Sequence, residues 1–247
     1  MKIAVFGNTK QTLKGLRRLV SDGYDVRYVF GLPDELRSKK VNSVSLDDFC
    51  AHNEIYLDKT NNWDNLKNQK VDLVIGLGDS RIVPEEVIKA QNVIGNHGAI
   101  LPSVQGAASL VWGRMLNTGT WGVSIFKLAK RVDAGDILVT KEFEYDRSCS
   151  MDDFVDAADD ITIDALFEYL DGNYSVSPNA RWNVRLSKHT DNNFVVENLR
   201  SCLQRGMRIY LPPRNLEDAK IVPEWESDFV ETFKLANDHP YPKWREK

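Results

Sequence analysis

Short apolar runs alternate with helical patterns along the first two thirds of the chain. The run at 3–6 is apolar throughout, which is typical of a central parallel strand, and the runs at 24–30 and 71–77 indicate two more strands. Between the first two runs, apolar residues recur at helical spacing from Leu13 to Val20, and Gly23 follows where a helix would end. This alternation predicts an α/β fold with a Rossmann-like, open and mostly parallel sheet flanked by helices.

The pattern ends in a long helix and then weakens. Ser150 is placed to cap a helix whose apolar stripe runs to Leu166, and Gly172 follows its end. Prolines interrupt the later segments, although a helix is predicted near Asn193–Arg205. We therefore expect a catalytic domain over residues 1–178 and a small, irregular C-terminal subdomain over residues 179–247.

Composition restricts the class of protein. Of the 247 residues 42% are hydrophobic, which is enough for a core, and a net charge of -4 gives no reason to expect nucleic acid or an anionic membrane as a partner. Cys50, Cys149 and Cys202 lie far apart with no CxxC pair, which favours a reducing compartment and argues against a structural metal. Neither a signal-peptide core nor an apolar run of about 20 residues is visible, so we expect a cytoplasmic protein without a membrane partner.

The first candidate for chemistry is the stretch from Val93 to Gly106, VIGNHGAILPSVQG. Two apolar residues indicate a buried strand, after which Gly95 is expected to open a turn that projects Asn96 and His97. Open α/β sheets place their chemistry at such strand ends. The simpler interpretation is that His97 only caps a turn or satisfies a buried hydrogen bond.

The second candidate is the segment RVDAGDIL from Arg131 to Leu138. Asp133 and Asp136 flank a glycine turn between two segments with strand character. The segment is either a well-made loop whose carboxylates bond backbone N–H groups, or a site in which one carboxylate faces the His97 segment. A dinucleotide or phosphate-loop site is not supported, because Gly7 follows the first strand without the other glycines of those motifs.

Taken together, His97-x-x-x-Leu101-Pro102, Gly106 and the VDAGD segment resemble the formyltransferases that use N10-formyltetrahydrofolate. The resemblance covers roughly residues 1–172 and implies a folate-dependent transfer of a formyl group to an amine. It places the catalytic histidine and aspartate of the family at His97 and Asp133. It also implies folate contacts at Arg81, Ile82 and Val83 and at Ala129, Lys130, Arg131, Val132 and Asp133.

The chain departs from the family pattern at one functional position. The catalytic asparagine of the family stands two residues before the histidine, where this chain has Gly95, and Asn96 is adjacent to His97 instead. Neighbouring residues of an extended chain point to opposite sides, so Asn96 reaches the same place only if a local bulge intervenes. A second departure is Gln105, where relatives often carry arginine.

The chemistry calls for these residue types in its own right. An amine loses a proton as it attacks the formyl carbon, and histidine accepts and returns protons near neutral pH. An ionised Asp133 near His97 would favour the imidazolium and orient the ring or a water molecule. The Asn96 amide would stabilise the developing oxyanion, and loss of such a donor typically costs about 3 kcal/mol.

The acceptor amine is inferred from what the C-terminal segment lacks. Residues 181–247 carry 12 Lys or Arg and 10 Asp or Glu, which is not the basic arm that a tRNA-binding relative needs. The resemblance therefore favours a nucleotide-linked (dTDP or UDP) amino sugar, used for a surface glycan, and a homodimer. Glycinamide ribonucleotide or methionyl-tRNA as acceptor, a formyl-folate hydrolase and a non-catalytic folate-binding protein remain alternatives. Trp182, Tyr210, Trp225 and Trp244 either anchor the C-terminal subdomain or stack on a ligand ring.

Overall fold

A computed structural model of the chain describes residues 1–187, 191–241 and 243–246. Its strands are β1 (Lys2–Phe6), β2 (Asp25–Phe30), β3 (Tyr56–Asp58), β4 (Leu73–Gly76), β5 (Val93–His97), β6 (Val104–Gly106), β7 (Thr120–Lys127), β8 (Ile137–Glu144), β9 (Val184–Arg185), β10 (Ile209–Leu211), β11 (Lys220–Ile221) and β12 (Arg245–Glu246). Its α-helices are α1 (Lys10–Ser21), α2 (Asp34–Arg37), α3 (Asp47–His52), α4 (Trp63–Lys67), α5 (Glu85–Ala90), α6 (Ser109–Leu116), α7 (Met151–Leu170), α8 (Asn192–Gln204) and α9 (Ser227–Ala236), with a 3-10 turn at Leu216–Ala219.

The main sheet confirms the predicted fold class. Its strand order is β3-β2-β1-β4-β5-β7-β8, and β1 to β5 pair in parallel. From β1 the chain adds β2 and β3 on one side and β4 and β5 on the other. The strand order therefore reverses between β1 and β4, as in other open α/β sheets. A second, small parallel sheet has the order β6-β10-β9.

Local signals in the sequence account for the ends of the principal helices. Thr9 caps α1 through a capping box with Thr12, and Gly23 takes a left-handed φ of +80° just past the end of α1. Ser150 caps α7 in the same way through Asp153. The helix predicted near residue 193 is α8, which begins where the Asp191 carboxylate accepts two backbone N–H groups.

Contacts divide the chain into two compact units, residues 1–96 with 125–136 and residues 97–124 with 137–247. The first unit has a core of buried side chains from β1, β2, β4 and β5, among them Phe6, Phe30 and Val74. The second has its own core around Trp112, Phe154 and Phe233. The sequence-based division after residue 178 stays a prediction.

A half-buried arginine, Arg214, connects the C-terminal helices of the second unit. The guanidinium of Arg214 lies 4.7 Å from the centroid of the Trp112 ring and donates to the side-chain oxygens of Asn192 and Asn237 and to the Asp218 carbonyl. Burial lowers the pKa of Arg214 to about 10. Neutral amide and carbonyl oxygens therefore accept most of the hydrogen bonds of the Arg214 guanidinium.

None of the helices in the described part of the chain combines the length and the apolar character that crossing a bilayer requires.

Candidate active site

The strand β5 continues through His97, so the predicted turn at Gly95 is wrong. The β4–β5 ladder pairs Val74 with Val93 and Gly76 with Gly95 without a register shift. These backbone hydrogen bonds hold the chain extended as far as Gly95, where the β4–β5 ladder ends. That the Asn96 side chain takes the place of the family's asparagine stays a prediction.

His97 is buried, with 7% of its surface exposed. Its Nε2 lies 3.1 Å from the Val104 carbonyl oxygen, which only accepts a hydrogen bond. Nε2 therefore carries a proton, and in the neutral ring the acceptor nitrogen is Nδ1. A backbone carbonyl that fixes the tautomer in this way is a common means of preparing a histidine for proton transfer.

Two side chains of β7 hold the segment that follows His97. The Ser124 hydroxyl accepts from the Leu101 N–H at 2.9 Å and donates to the Ala99 carbonyl at 2.8 Å. The Trp121 Nε1 donates to the Gly98 carbonyl at 2.8 Å. Sequence reasoning did not identify either residue as part of the site. The one available signal was Ser124, a serine in the mostly apolar run from Trp121 to Phe126.

Asn96 is fixed by the turn after β4. Its Oδ1 accepts from the Gly78 N–H at 3.1 Å. Because an N–H can only donate, this contact assigns the orientation of the amide and directs Nδ2 away from Gly78. The Gly78 N–H thus fixes the position of the Asn96 Nδ2, which is a hydrogen-bond donor.

At the position where the family has its catalytic asparagine, a side chain would require the end of Leu128 to move. A Cβ at Gly95 would lie 2.6 Å from Leu128 Cδ1, closer than real contacts of this kind. The Leu128 side chain therefore fills the space that opens from residue 95. Gly95 and Leu128 are therefore matched in size, since Leu128 packs against the missing side chain of Gly95.

The turn after β7 distinguishes its two carboxylates. Asp133 is buried and adopts a left-handed φ of +50°, whereas Asp136 is exposed. The Lys127 N–H donates to the Asp136 backbone carbonyl at 2.8 Å and closes the turn. A Cβ at Gly135 would lie 1.7 Å from the Lys127 carbonyl oxygen, so only glycine fits there. Asp136 shapes the turn through its backbone, and Asp133 is the carboxylate that the turn encloses.

The guanidinium of Arg81 is fully used inside the first unit. Its five N–H groups are directed to the Asp79 carboxylate, which accepts two, and to the Phe30 carbonyl, the Gly31 carbonyl and Asn61 Oδ1. The Asp79 carboxylate is 1% exposed, and the guanidinium lies 4.9 Å from the centroid of the Trp63 ring. Arg81 therefore fixes the loop after β4 by its side chain.

The two segments with implied folate contacts are joined by an ion pair. Lys130 Nζ lies 2.8 Å from a carboxylate oxygen of Glu85, at the start of α5. Lys130 and then Lys89 lower the pKa of Glu85 to about 2. Within these segments Ile82 is 73% exposed and Val132 46%, while Val83 is buried in the core. Exposed apolar side chains on these two fixed loops fit a flat aromatic ligand such as a pterin.

Asn96, Asp133 and both of these segments belong to the first unit, whereas His97 belongs to the second. The convergence of His97 with Asp133 stays a prediction, as does the catalytic role of each residue.

We expect Asn96→Ala to lower kcat of formyl transfer by about a hundredfold and to leave KM little changed, because an oxyanion donor acts mainly in the transition state. Asn96→Asp is the matched control. It keeps an oxygen that accepts from Gly78 N–H but removes the Nδ2 donor, so it should lose as much activity as the alanine variant. Near-normal kcat in Asn96→Asp, or a loss of less than about fivefold in Asn96→Ala, would assign Asn96 to the turn alone.

Comparisons with known proteins point to one family. A family described as formyl transferase matches residues 1–170 by sequence. A methionyl-tRNA formyltransferase from Bacillus thuringiensis subsp. konkukian is 28% identical over 154 residues, which are 58% of this chain and 49% of that protein. The chain thus spans about half the length of the curated relatives it matches.

Solved structures share the fold over nearly the whole chain. A methionyl-tRNA formyltransferase from Clostridium thermocellum has a TM-score of 0.68 at 13% identity, over 100% of this chain and 88% of that one. An N-formyltransferase from Helicobacter canadensis, in complex with folinic acid and dTDP-3-aminofucose, has a TM-score of 0.68 at 14% identity, over 96% and 80%. At these identities the likeness concerns the fold.

Proposed function

Because the chain belongs to the formyl transferase family, which matches residues 1–170, we propose that it transfers a formyl group from N10-formyltetrahydrofolate to an amine. The acceptor in this proposal is the amino group of a dTDP- or UDP-linked amino sugar, and the product serves a surface glycan. The main observation in support of formyl transfer is the buried His97, whose Nε2–H donates to the Val104 carbonyl.

N10-formyltetrahydrofolate, when bound, supplies the formyl group. The chain's own contribution is to hold the donor, position the amine and move one proton. The exposed Ile82 and Val132 side chains and the backbone of the two loops support binding of the donor in the first unit. His97 Nδ1 accepts the proton that the amine nitrogen loses as it becomes an amide, and later returns it to the leaving nitrogen.

The choice of a nucleotide-linked amino sugar rests on charge and on a relative. Twelve basic and ten acidic residues over 181–247 do not form the extended basic surface that an RNA backbone needs. The Helicobacter canadensis N-formyltransferase, which shares the fold, is described with dTDP-3-aminofucose. A homodimer is part of the same proposal.

One observation favours a second candidate, a folate-binding protein with little or no transferase activity. Leu128 fills the space beside Gly95, where the family places its catalytic asparagine. If Asn96 does not supply the missing donor, formyl transfer would be slow, and binding of formyl-folate or its hydrolysis would remain.

The test is a screen of acceptors with the purified chain and N10-formyltetrahydrofolate. The acceptors are dTDP- and UDP-linked amino sugars, glycinamide ribonucleotide and methionyl-tRNA, and product mass reports the added formyl group. We expect formylation of at least one nucleotide-linked amino sugar. A higher kcat/KM with methionyl-tRNA would contradict the proposed acceptor, and formate release without any amine would identify a hydrolase. Folate binding without turnover would support the second candidate.

A further inference from the structure

Two aromatic rings in the second unit are flanked by arginines. The guanidinium of Arg181 lies 4.7 Å from the centroid of the Trp182 ring, and that of Arg185 lies 5.3 Å from the centroid of the Tyr210 ring. The two ring centroids are 6.0 Å apart. Arg208 joins the group because its Nε donates to the Arg181 carbonyl at 2.7 Å. We call Arg181, Trp182, Arg185, Arg208 and Tyr210 the arginine–aromatic cluster.

The cluster occupies the outer face of the small sheet β6-β10-β9. Tyr210 is in register with Gln105 on one side and with Arg185 on the other, so these three side chains point to one face. On that face Gln105 is fully buried and donates to the Ala180 carbonyl, so the accessible part begins at Tyr210. The neighbouring positions on the opposite face, Ile209 and Leu211, are buried in the core of the unit. Trp182 and Tyr210 are half-buried, and Arg181 and Arg185 are exposed. The rings are thus not needed to fill the core, unlike Trp225, which packs against the core residue Phe233.

Positive charge is concentrated here although the chain as a whole is acidic. The sequence contains no Asp or Glu at 173–190 or at 198–216, the two segments that supply the cluster. Neither Arg181 nor Arg185 pairs with a carboxylate within residues 1–187, 191–241 and 243–246. By contrast, the exposed Arg200 on α8 is paired with Glu197. Like charges placed together without an acidic partner repel each other, and a bound anion would relieve that repulsion.

The same sheet is connected to His97. The Val104 carbonyl that accepts from His97 Nε2 belongs to the first residue of β6, next to Gln105. Adjacent strands lie about 4.8 Å apart, so Tyr210 on β10 lies about 5 Å and Arg185 on β9 about 10 Å from that strand.

From this arrangement we infer that the arginine–aromatic cluster binds the nucleoside diphosphate part of the acceptor. The arginines contact the phosphates, since planar guanidinium groups bind phosphate oxygens in pairs, and a ring of the cluster stacks on the pyrimidine. This inference deepens the proposed function and rests on it. A compact group of three arginines suits a diphosphate better than RNA, which is held by many phosphate contacts over a long surface.

The experiment measures nucleotide affinity directly, without folate or catalysis. The diphosphates dTDP and UDP, with the nucleosides thymidine and uridine, are titrated by calorimetry into the full chain and into Arg185→Gln, Arg181→Gln and Trp182→Leu. Arg200→Gln is the matched control, an exposed arginine of the same unit outside the cluster. We expect Arg185→Gln to weaken dTDP binding about tenfold or more and to reduce the preference for dTDP over thymidine. Trp182→Leu should weaken the binding of nucleoside and diphosphate alike, and Arg200→Gln should leave both affinities unchanged.

An equal affinity of Arg185→Gln and Arg200→Gln for the preferred diphosphate would overturn the inference, as would a wild-type chain that binds neither dTDP nor UDP. It would also be overturned by tight, steeply salt-dependent binding of tRNA that Arg185→Gln abolishes, since the surface would then hold RNA.

A failure of the proposed function can be distinguished from a failure of this inference. If the chain formylates no amino sugar but binds dTDP through Arg185, the nucleotide site stands. If it formylates one and Arg185→Gln leaves KM unchanged, only the inference fails.

Discussion

We expect His97→Asn to abolish formyl transfer, with a loss of kcat of about 10²- to 10⁴-fold, the range that a positioned general acid–base group contributes. The segment after His97 should keep its structure, because Ser124 and Trp121 still hold it. What is lost is the imidazole, whose Nδ1 accepts the proton of the attacking amine. The measurement is kcat with the best acceptor, together with the thermal unfolding midpoint.

His52→Asn is the control for this variant. His52 is exposed at the end of α3, away from any proposed chemistry, and its replacement should leave kcat and the unfolding midpoint unchanged. Near-normal kcat in His97→Asn would remove His97 from the mechanism and return it to the simpler role of a buried hydrogen-bond donor. A lowered midpoint together with lost activity calls for His97→Gln as a second variant, which places an amide farther from the backbone.

The strands and helices that frame the site were predictable because their signals are local. Apolar runs mark β1, β4 and the start of β5, and Thr9 and Ser150 mark the first turns of α1 and α7. The end of β5 was not predictable in this way. Two glycines beside polar residues suggested a turn, but pairing with β4 through Gly95 holds the strand extended. Strand pairing is a tertiary contact, and it overrides the local preference of glycine.

The contacts that define the candidate site join residues far apart in the sequence. Leu128 fills the space beside Gly95, Gly78 fixes the Asn96 amide, and Ser124 holds the segment after His97. None of these partners follows from a motif, because each depends on which strands become neighbours. The arginine–aromatic cluster is of the same kind, since Trp182 and Tyr210 meet only when β9 and β10 pair. The sequence therefore suggested candidate residues for the chemistry, and the fold adds the groups that hold those candidates in place.

We expect Asp133→Asn to lower kcat by orders of magnitude and Asp136→Asn to leave it nearly unchanged. Asp133 is the buried carboxylate of its turn, whereas Asp136 is exposed and contributes its backbone carbonyl, which asparagine retains. Asparagine is the right replacement at 133 because the residue has a φ of +50°, which Asn tolerates as well as Asp does. The substitution therefore removes the negative charge without adding backbone strain.

The two steady-state constants separate the roles that Asp133 is proposed to have. If the carboxylate assists proton transfer, directly or through His97, Asp133→Asn lowers kcat and kcat/KM together, because the interaction is made in the transition state. If it only holds the folate, KM for N10-formyltetrahydrofolate rises and kcat is kept. We expect the first pattern, with an unfolding midpoint close to that of the unchanged chain. The reverse behaviour of the two variants, with loss of kcat in Asp136→Asn alone, would exchange their roles, and an unchanged kcat in both would place the proton relay outside this turn.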